Sequence, residues 1–204
     1  GCKDSISITE RVYPNPTARF NLSKSEGCGP LDINTDNFSI PNDTGSIYIM
    51  SFRWKLRNNV TAVSRDSSVR LTASKTKDTL HRIVLYAYSE HGCLDSAATT
   101  VRVYPNPKMA FTPSQTFGCR PLAVTFNNRS LPMDTGSIGI MKFKWYFAAK
   151  DTTADVHPSY TFREQYLKDT TYGIRLIGMT EHGCRDSVVE FVTLRPDANS
   201  VFNA

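Results

Sequence analysis

The stretch Glu90-His91-Gly92-Cys93-Leu94-Asp95 sets an acid, an imidazole, a thiol and a second acid side by side, and it recurs as Glu181-His182-Gly183-Cys184-Arg185-Asp186. Three chemistries can use such a set. A cysteine nucleophile needs a base within hydrogen-bond reach and a cleft that holds substrate. A zinc centre could draw on His91, Cys93 and a cysteine of a neighbouring segment. A disulfide needs only a second cysteine and an oxidising compartment. Because the motif recurs at a glycine-bearing turn, each time with another cysteine alongside, the cysteines read as disulfide-forming rather than zinc-binding, and no catalytic residue is expected.

Oxygen ligands come from two further loops, Asp43-Thr44-Gly45-Ser46 and Asp134-Thr135-Gly136-Ser137, with Asp36, Asn37 and Asn128 close in sequence. Calcium takes six to eight oxygens, and one carboxylate per loop falls well short. Asp43 and Asp134 therefore read first as turn residues bonding their own backbone, with calcium as the alternative and no cofactor expected. Asp95 and Asp186, each followed by serine, are expected to brace their turns by accepting bonds from backbone amides.

The elements that position these groups repeat with a period of 91 residues and no gap. Tyr13-Pro14-Asn15-Pro16 falls on Tyr104-Pro105-Asn106-Pro107, Trp54 falls on Trp145, and Cys2, Cys93 and Cys184 share the spacing, as do Cys28 and Cys119. A unit of this length suits a domain with its own core, so the chain reads as beads on a string rather than a solenoid. Residues 17–107 and 108–195 form two modules. Residues 1–16 match the closing strand and linker of a preceding module, and 196–204 match the linker and first strand of a following one. The paired prolines favour stiff, extended connections.

Within each module the apolar residues alternate with period two, the mark of strands with one buried face. Met50, Phe52, Trp54 and Leu56 define a central strand, mirrored by Met141, Phe143, Trp145 and Phe147, and Phe52, Trp54, Phe143 and Trp145 are the expected core. A second long strand runs through Ile83, Leu85 and Ala87. Shorter ones cover 19–22, 31–34 and 101–103, each with a counterpart in the next repeat. Turn residues separate them, at Gly27-Cys28-Gly29-Pro30 among others. The expected fold is all-β: tandem immunoglobulin-like sandwiches with a tryptophan buried on the third strand.

The order Cys-x-Pro-Leu, Asn-x-Ser, Phe-x-Trp, Gly-Cys-x-Asp-Ser and a closing Val-x-Val-Tyr-Pro resembles the polycystic-kidney-disease (PKD) domain over the whole chain. His157-Pro158-Ser159-Tyr160-Thr161-Phe162 is similar to that family's His-Pro-x-His-x-Tyr segment. The family's Gly-Asp-Gly after the tryptophan strand is replaced by Arg57-Asn58-Asn59 and Ala148-Ala149-Lys150, so no property of that turn carries over. The cysteine-bearing variety is typical of giant surface proteins of Bacteroidota. The resemblance implies an extracellular spacer or adhesin module, exported by the type IX system used for gliding adhesins and other surface appendages.

Two disulfide connectivities are open. The even spacing of Cys28 to Cys93 and of Cys119 to Cys184 suggests one bond inside each module. Sandwich topology argues otherwise, because Cys28 and Cys119 stand before the second strand at the bottom of the domain, whereas Cys93 and Cys184 follow the sixth strand at the top. A strand of nine residues is about 30 Å long, and bridged Cα atoms lie within about 7 Å. The bottom of one module faces the top of the next, so the expected bond is Cys28–Cys184. Cys93, Cys119 and Cys2 are then left for modules outside this sequence.

Charged residues at 21% and hydrophobic ones at 40% are ordinary for a soluble fold, and no apolar run is long enough for a membrane span. The net charge of +5 reads as scattered surface lysines and arginines. Nucleic acid is not an expected partner, because the aromatics sit mainly at inward positions. The expected role is a rigid stalk or filament shaft at the cell surface, with neighbouring repeats as partners and further copies in a bundle as another arrangement. The alternatives are modules that bind a surface glycan or glycoprotein, and spacers attached to a secreted enzyme.

Overall fold

The computed structural model describes residues 1–43, 50–57, 60–134, 141–148, 151–163 and 168–196. The Thr44-Gly45-Ser46 and Thr135-Gly136-Ser137 parts of the candidate calcium loops lie outside them. So do Asn58, Asn59, Ala149, Lys150 and the expected first strand of a following module. Every regular element among the described residues is a strand, and no helix there is long and apolar enough to cross a membrane, which leaves β-barrels aside.

The first repeat contributes β1 (Phe20–Leu22), β2 (Glu26–Cys28), β3 (Leu31–Asn37), β4 (Ser51–Arg57), β5 (Val60–Ala62), β6 (Ser68–Leu71), β7 (Thr79–Tyr88) and β8 (Leu94–Tyr104). They form a three-stranded sheet ordered β1-β3-β6 and a five-stranded sheet ordered β2-β8-β7-β4-β5. The second repeat contributes β9 (Phe111–Pro113), β10 (Phe117–Cys119), β11 (Leu122–Asn128), β12 (Met141–Phe147), β13 (Asp151–Thr153), β14 (Ser159–Phe162), β15 (Thr170–Thr180) and β16 (Arg185–Arg195). Their order is the same, β14-β11-β9 and β10-β16-β15-β12-β13. Two mainly antiparallel sheets, each presenting every second residue to a shared core, are the immunoglobulin-like arrangement.

The chain separates into two compact units. One is Gly1–Glu26, Pro30–Leu71 and Leu80–Val103, and the other is Gly27–Gly29, Thr72–Thr79 and Tyr104–Ala204. The strip Gly27–Gly29 thus belongs with the second unit although the first repeat encodes it. Residues 1–16 carry no strand, and a strand requires a neighbour to complete its ladder of hydrogen bonds.

Alternation explains both cores. On β3 the pattern buries Leu31, Ile33, Thr35 and Asn37 and exposes the residues between them. The buried Thr35 hydroxyl is satisfied, accepting from Ser67 N at 2.8 Å and donating to Ser67 O at 3.1 Å. Trp54 and Trp145 are fully buried. Each indole N–H finds a carbonyl, Trp54 Nε1 donating to Ser64 O at 3.1 Å and Trp145 Nε1 to Asp155 O at 2.9 Å. Burying an indole without such a partner would forfeit much of the gain from its apolar area. Phe52 and Phe143 are only half-buried, against expectation. They lie near the start of β4 and β12, and Phe143 packs onto the margin of the second core rather than within it.

Two strands carry no signal in the sequence pattern. Gly27-Cys28-Gly29-Pro30 was expected to be a turn, yet Glu26–Cys28 forms β2, and Phe117–Cys119 forms β10 in the same place. Strand β10 pairs in parallel with the end of β16, placing Cys119 opposite Arg195. Three residues show no periodicity, and their partner strand lies far along the chain, so only the tertiary fold creates them.

Candidate functional site

The Glu-His-Gly-Cys motif forms the turn between the two long strands of each five-stranded sheet, β7 and β8 in the first and β15 and β16 in the second. In the second unit Thr180 N donates to Cys184 O at 2.9 Å and Gly183 N donates to Thr180 O at 3.0 Å, leaving Glu181, His182 and Gly183 as the loop. Ser89 and Cys93 make the same pair of bonds around Glu90, His91 and Gly92. Three-residue hairpin loops end on a left-handed residue, and Gly92 and Gly183 have φ of 78° and 80°. That backbone strains any residue with a Cβ, which accounts for glycine before each cysteine.

Asp95 and Asp186 act farther away than their own turns, contrary to expectation. Asp95 Oδ2 accepts from Ala18 N at 2.8 Å, and Asp186 Oδ2 accepts from Met109 N at 3.4 Å. Each carboxylate therefore ties the start of the hairpin's second strand to the first segment of its own unit.

Cys28 and Cys184 are joined by a disulfide with Cα atoms 5.3 Å apart and a sequence separation of 156. Around this bond Gly29 N donates to Tyr104 O at 2.9 Å, and Asn106 Nδ2 donates to Gly29 O at 2.8 Å. The Tyr104 ring stacks on His182, centroids 3.8 Å apart. Tyrosine and asparagine of the Tyr-Pro-Asn-Pro linker thus grip the residues flanking the bond. The first unit repeats part of the grip, with Tyr13 stacked on His91 at 3.5 Å and the Cys93 thiol 3.8 Å from Tyr13 O.

The alternative pairings Cys28–Cys93 and Cys119–Cys184 are not formed. Cys119 lies beside the last residue of β16 and Cys184 immediately precedes its first. Eleven residues of strand hold them about 35 Å apart, so no local adjustment could bridge them. Cys2, Cys93 and Cys119 are free thiols in this chain. The zinc set of His91, Cys93 and a neighbouring cysteine fails in the second copy, because a sulfur engaged in the Cys28–Cys184 bond offers no thiolate. The Cys28 and Cys93 sulfurs each lie 3.8 Å from a backbone carbonyl oxygen, of His182 and of Tyr13 respectively, and a carbonyl is not the base that a nucleophile requires.

The calcium candidates meet different neighbours from those expected. Asp43 gathers with Glu90 and His91, and Asp134 gathers with Glu181 and His182, the ligand atoms of each trio lying within 4.8 Å of one another. Asp36, Asn37 and Asn128 are not in either trio. Asn37 instead serves the core edge, its Oδ1 accepting from Ser39 N at 3.0 Å, and Asn128 Oδ1 accepts from Ser130 N at the same distance. The trios were legible in one respect: the loop between the second and third sandwich strands and the sixth-to-seventh turn share one end of such a domain.

No protein-family model and no curated protein matches the chain. Among solved structures it is similar to the PKD1 domain of the Vibrio cholerae metalloprotease PrtV, at 25% identity over 45% of this chain and 99% of that one, with a TM-score of 0.36. The PKD1 domain of Vibrio anguillarum Epp is 20% identical over 46% of this chain and 99% of its own, with a TM-score of 0.37. Fibronectin(III)-like modules of Clostridium thermocellum CbhA align with 91% of this chain and 98% of theirs, at 9% identity and a TM-score of 0.38. By its own strand order and core, the chain is all-β and built of immunoglobulin-like sandwiches.

Proposed function

We propose that this segment is the stiff, non-catalytic shaft of a large extracellular surface protein, in which disulfides staple each module to its neighbour. The observation that carries the reading is the Cys28–Cys184 bond, which joins residues of consecutive repeats. Disulfides persist in oxidising surroundings, which supports a place outside the cytoplasm. The free thiols occupy repeat-equivalent positions, Cys119 matching Cys28 and Cys93 matching Cys184. In an array, Cys93 pairs with a repeat on the N-terminal side, Cys119 with one on the C-terminal side, and Cys2 with one farther upstream. Tension then runs through a bond, through 26 residues such as those from Cys93 to Cys119, and through the next bond. The folded body of each module is bypassed. Such a shaft serves adhesion, gliding or contact at a cell surface.

Pulling the chain from its two termini in a single-molecule instrument tests this. Oxidised, the chain should lengthen only by the residues outside the loop. Reductant should release the loop closed by Cys28 and Cys184, whose sequence separation is 156, about 540 Å of added contour length at about 3.5 Å per residue. Equal extension with and without reductant would refute the load path. Specific, saturable retention on a glycan array would favour the adhesin alternative instead.

A further inference from the structure

We infer that each module carries a binding site for a borderline transition-metal dication such as zinc, formed by Asp43, Glu90 and His91 in the first unit and by Asp134, Glu181 and His182 in the second. The inference stands apart from the stalk reading, since a shaft needs no metal.

The first ground is ligand type. Each trio offers two carboxylate oxygens and one imidazole nitrogen. Zinc accepts that mixture, whereas calcium wants six to eight oxygens and gains little from a nitrogen. The second ground is spacing. His91 Nε2 lies 3.4 Å from Glu90 Oε1, and His182 Nε2 lies 3.6 Å from Glu181 Oε1. Two ligands on a tetrahedral zinc with bonds of about 2.0–2.1 Å stand about 3.3 Å apart, so the Glu-His pairs already have that spacing, and the aspartate oxygen, within 4.8 Å of both, would draw in on binding. The third protein ligand comes from another loop, and water can complete the four.

Orientation is fixed from outside the trio. Tyr13 stacks on the His91 ring with planes 19° apart, and Tyr104 stacks on His182 with planes 9° apart. A stacked imidazole keeps its ring plane, which lowers the ordering cost of ligation. On the opposite side, the residue before each aspartate is left-handed, Asn42 at φ 64° and Met133 at φ 66°. For methionine this is a rare conformation, and it precedes Asp43 and Asp134 alike, in loops whose sequences match but for Asn42 against Met133. Asp134 is buried, where a cation beside a carboxylate is worth most. The same trio therefore arises in both repeats from the same two loops.

The test uses the full chain with Cys2→Ser, Cys93→Ser and Cys119→Ser, so that no free thiol binds metal and the Cys28–Cys184 bond stays. Zinc titration by calorimetry should give two ions per chain, one after His182→Ala, and none after His91→Ala with His182→Ala. Asp43→Asn and Asp134→Asn should each weaken the corresponding site by at least about tenfold. Cobalt(II) should show the intense visible bands of four-coordination. His81→Ala and His157→Ala should change nothing. The two loop histidines sit at exposed turns, so circular dichroism should report an unaltered fold. Fewer than two ions per chain, binding that survives loss of both loop histidines, or binding of calcium in preference to zinc would overturn the inference.

Discussion

Cys28→Ser, made in a background lacking the three free thiols, is expected to cost about 2–5 kcal/mol of unfolding free energy. The magnitude comes from loop length. A bond enclosing 156 residues restricts the unfolded chain by about 5 kcal/mol in the chain-entropy account, the upper end of what such bonds supply. The free thiols are removed first because thiolates attack disulfides and would reshuffle the pairing. Urea unfolding followed by tryptophan fluorescence measures the loss. The slope against urea should rise together with it, because the unlinked chain exposes more surface when unfolded. Unchanged stability would mean that the bond does not form in solution.

Trp145→Ala should cost about 3–5 kcal/mol and act on the second unit. The ring is fully buried, lies 4.9 Å from Phe111 and 5.8 Å from Phe126 between centroids, and donates its N–H to Asp155 O. Alanine removes the ring, opens a cavity among aromatics too large to close over it, and strands that carbonyl. Trp145→Phe separates the contributions: it keeps most of the packing and loses the hydrogen bond, for about 1 kcal/mol. Denaturation curves of the two variants give both values, and a cost for alanine near that for phenylalanine would place the ring outside the core.

The features legible in the sequence were those repeated at short range. Alternation through Phe52, Trp54 and Leu56 marks β4 because every second side chain must face one sheet surface, and the period of 91 residues doubles each such observation. What stayed hidden depends on contacts distant along the chain. Strands β2 and β10 exist only because the last strand of each repeat offers them a parallel edge, shown for β10 beside β16. Phe52 and Phe143 have the right period for core residues, but their position toward one strand end decides their burial, and period carries no information about it. The trios join Asp43 and Asp134 to turns far along the chain. The carboxylates of Asp95 and Asp186 serve amides of another segment for the same reason, since a side chain's nearest donor in space need not be its neighbour in sequence.

The central claim concerns which cysteines are joined, and trypsin separates them cleanly. Cys28 falls on peptide 25–53, Cys93 on 83–102, Cys119 on 109–129 and Cys184 on 176–185. Mass spectrometry of a non-reduced digest of the full chain should find 25–53 linked to 176–185, with 83–102 and 109–129 not linked to those two. A peptide joining 25–53 to 83–102, or 109–129 to 176–185, would contradict the account.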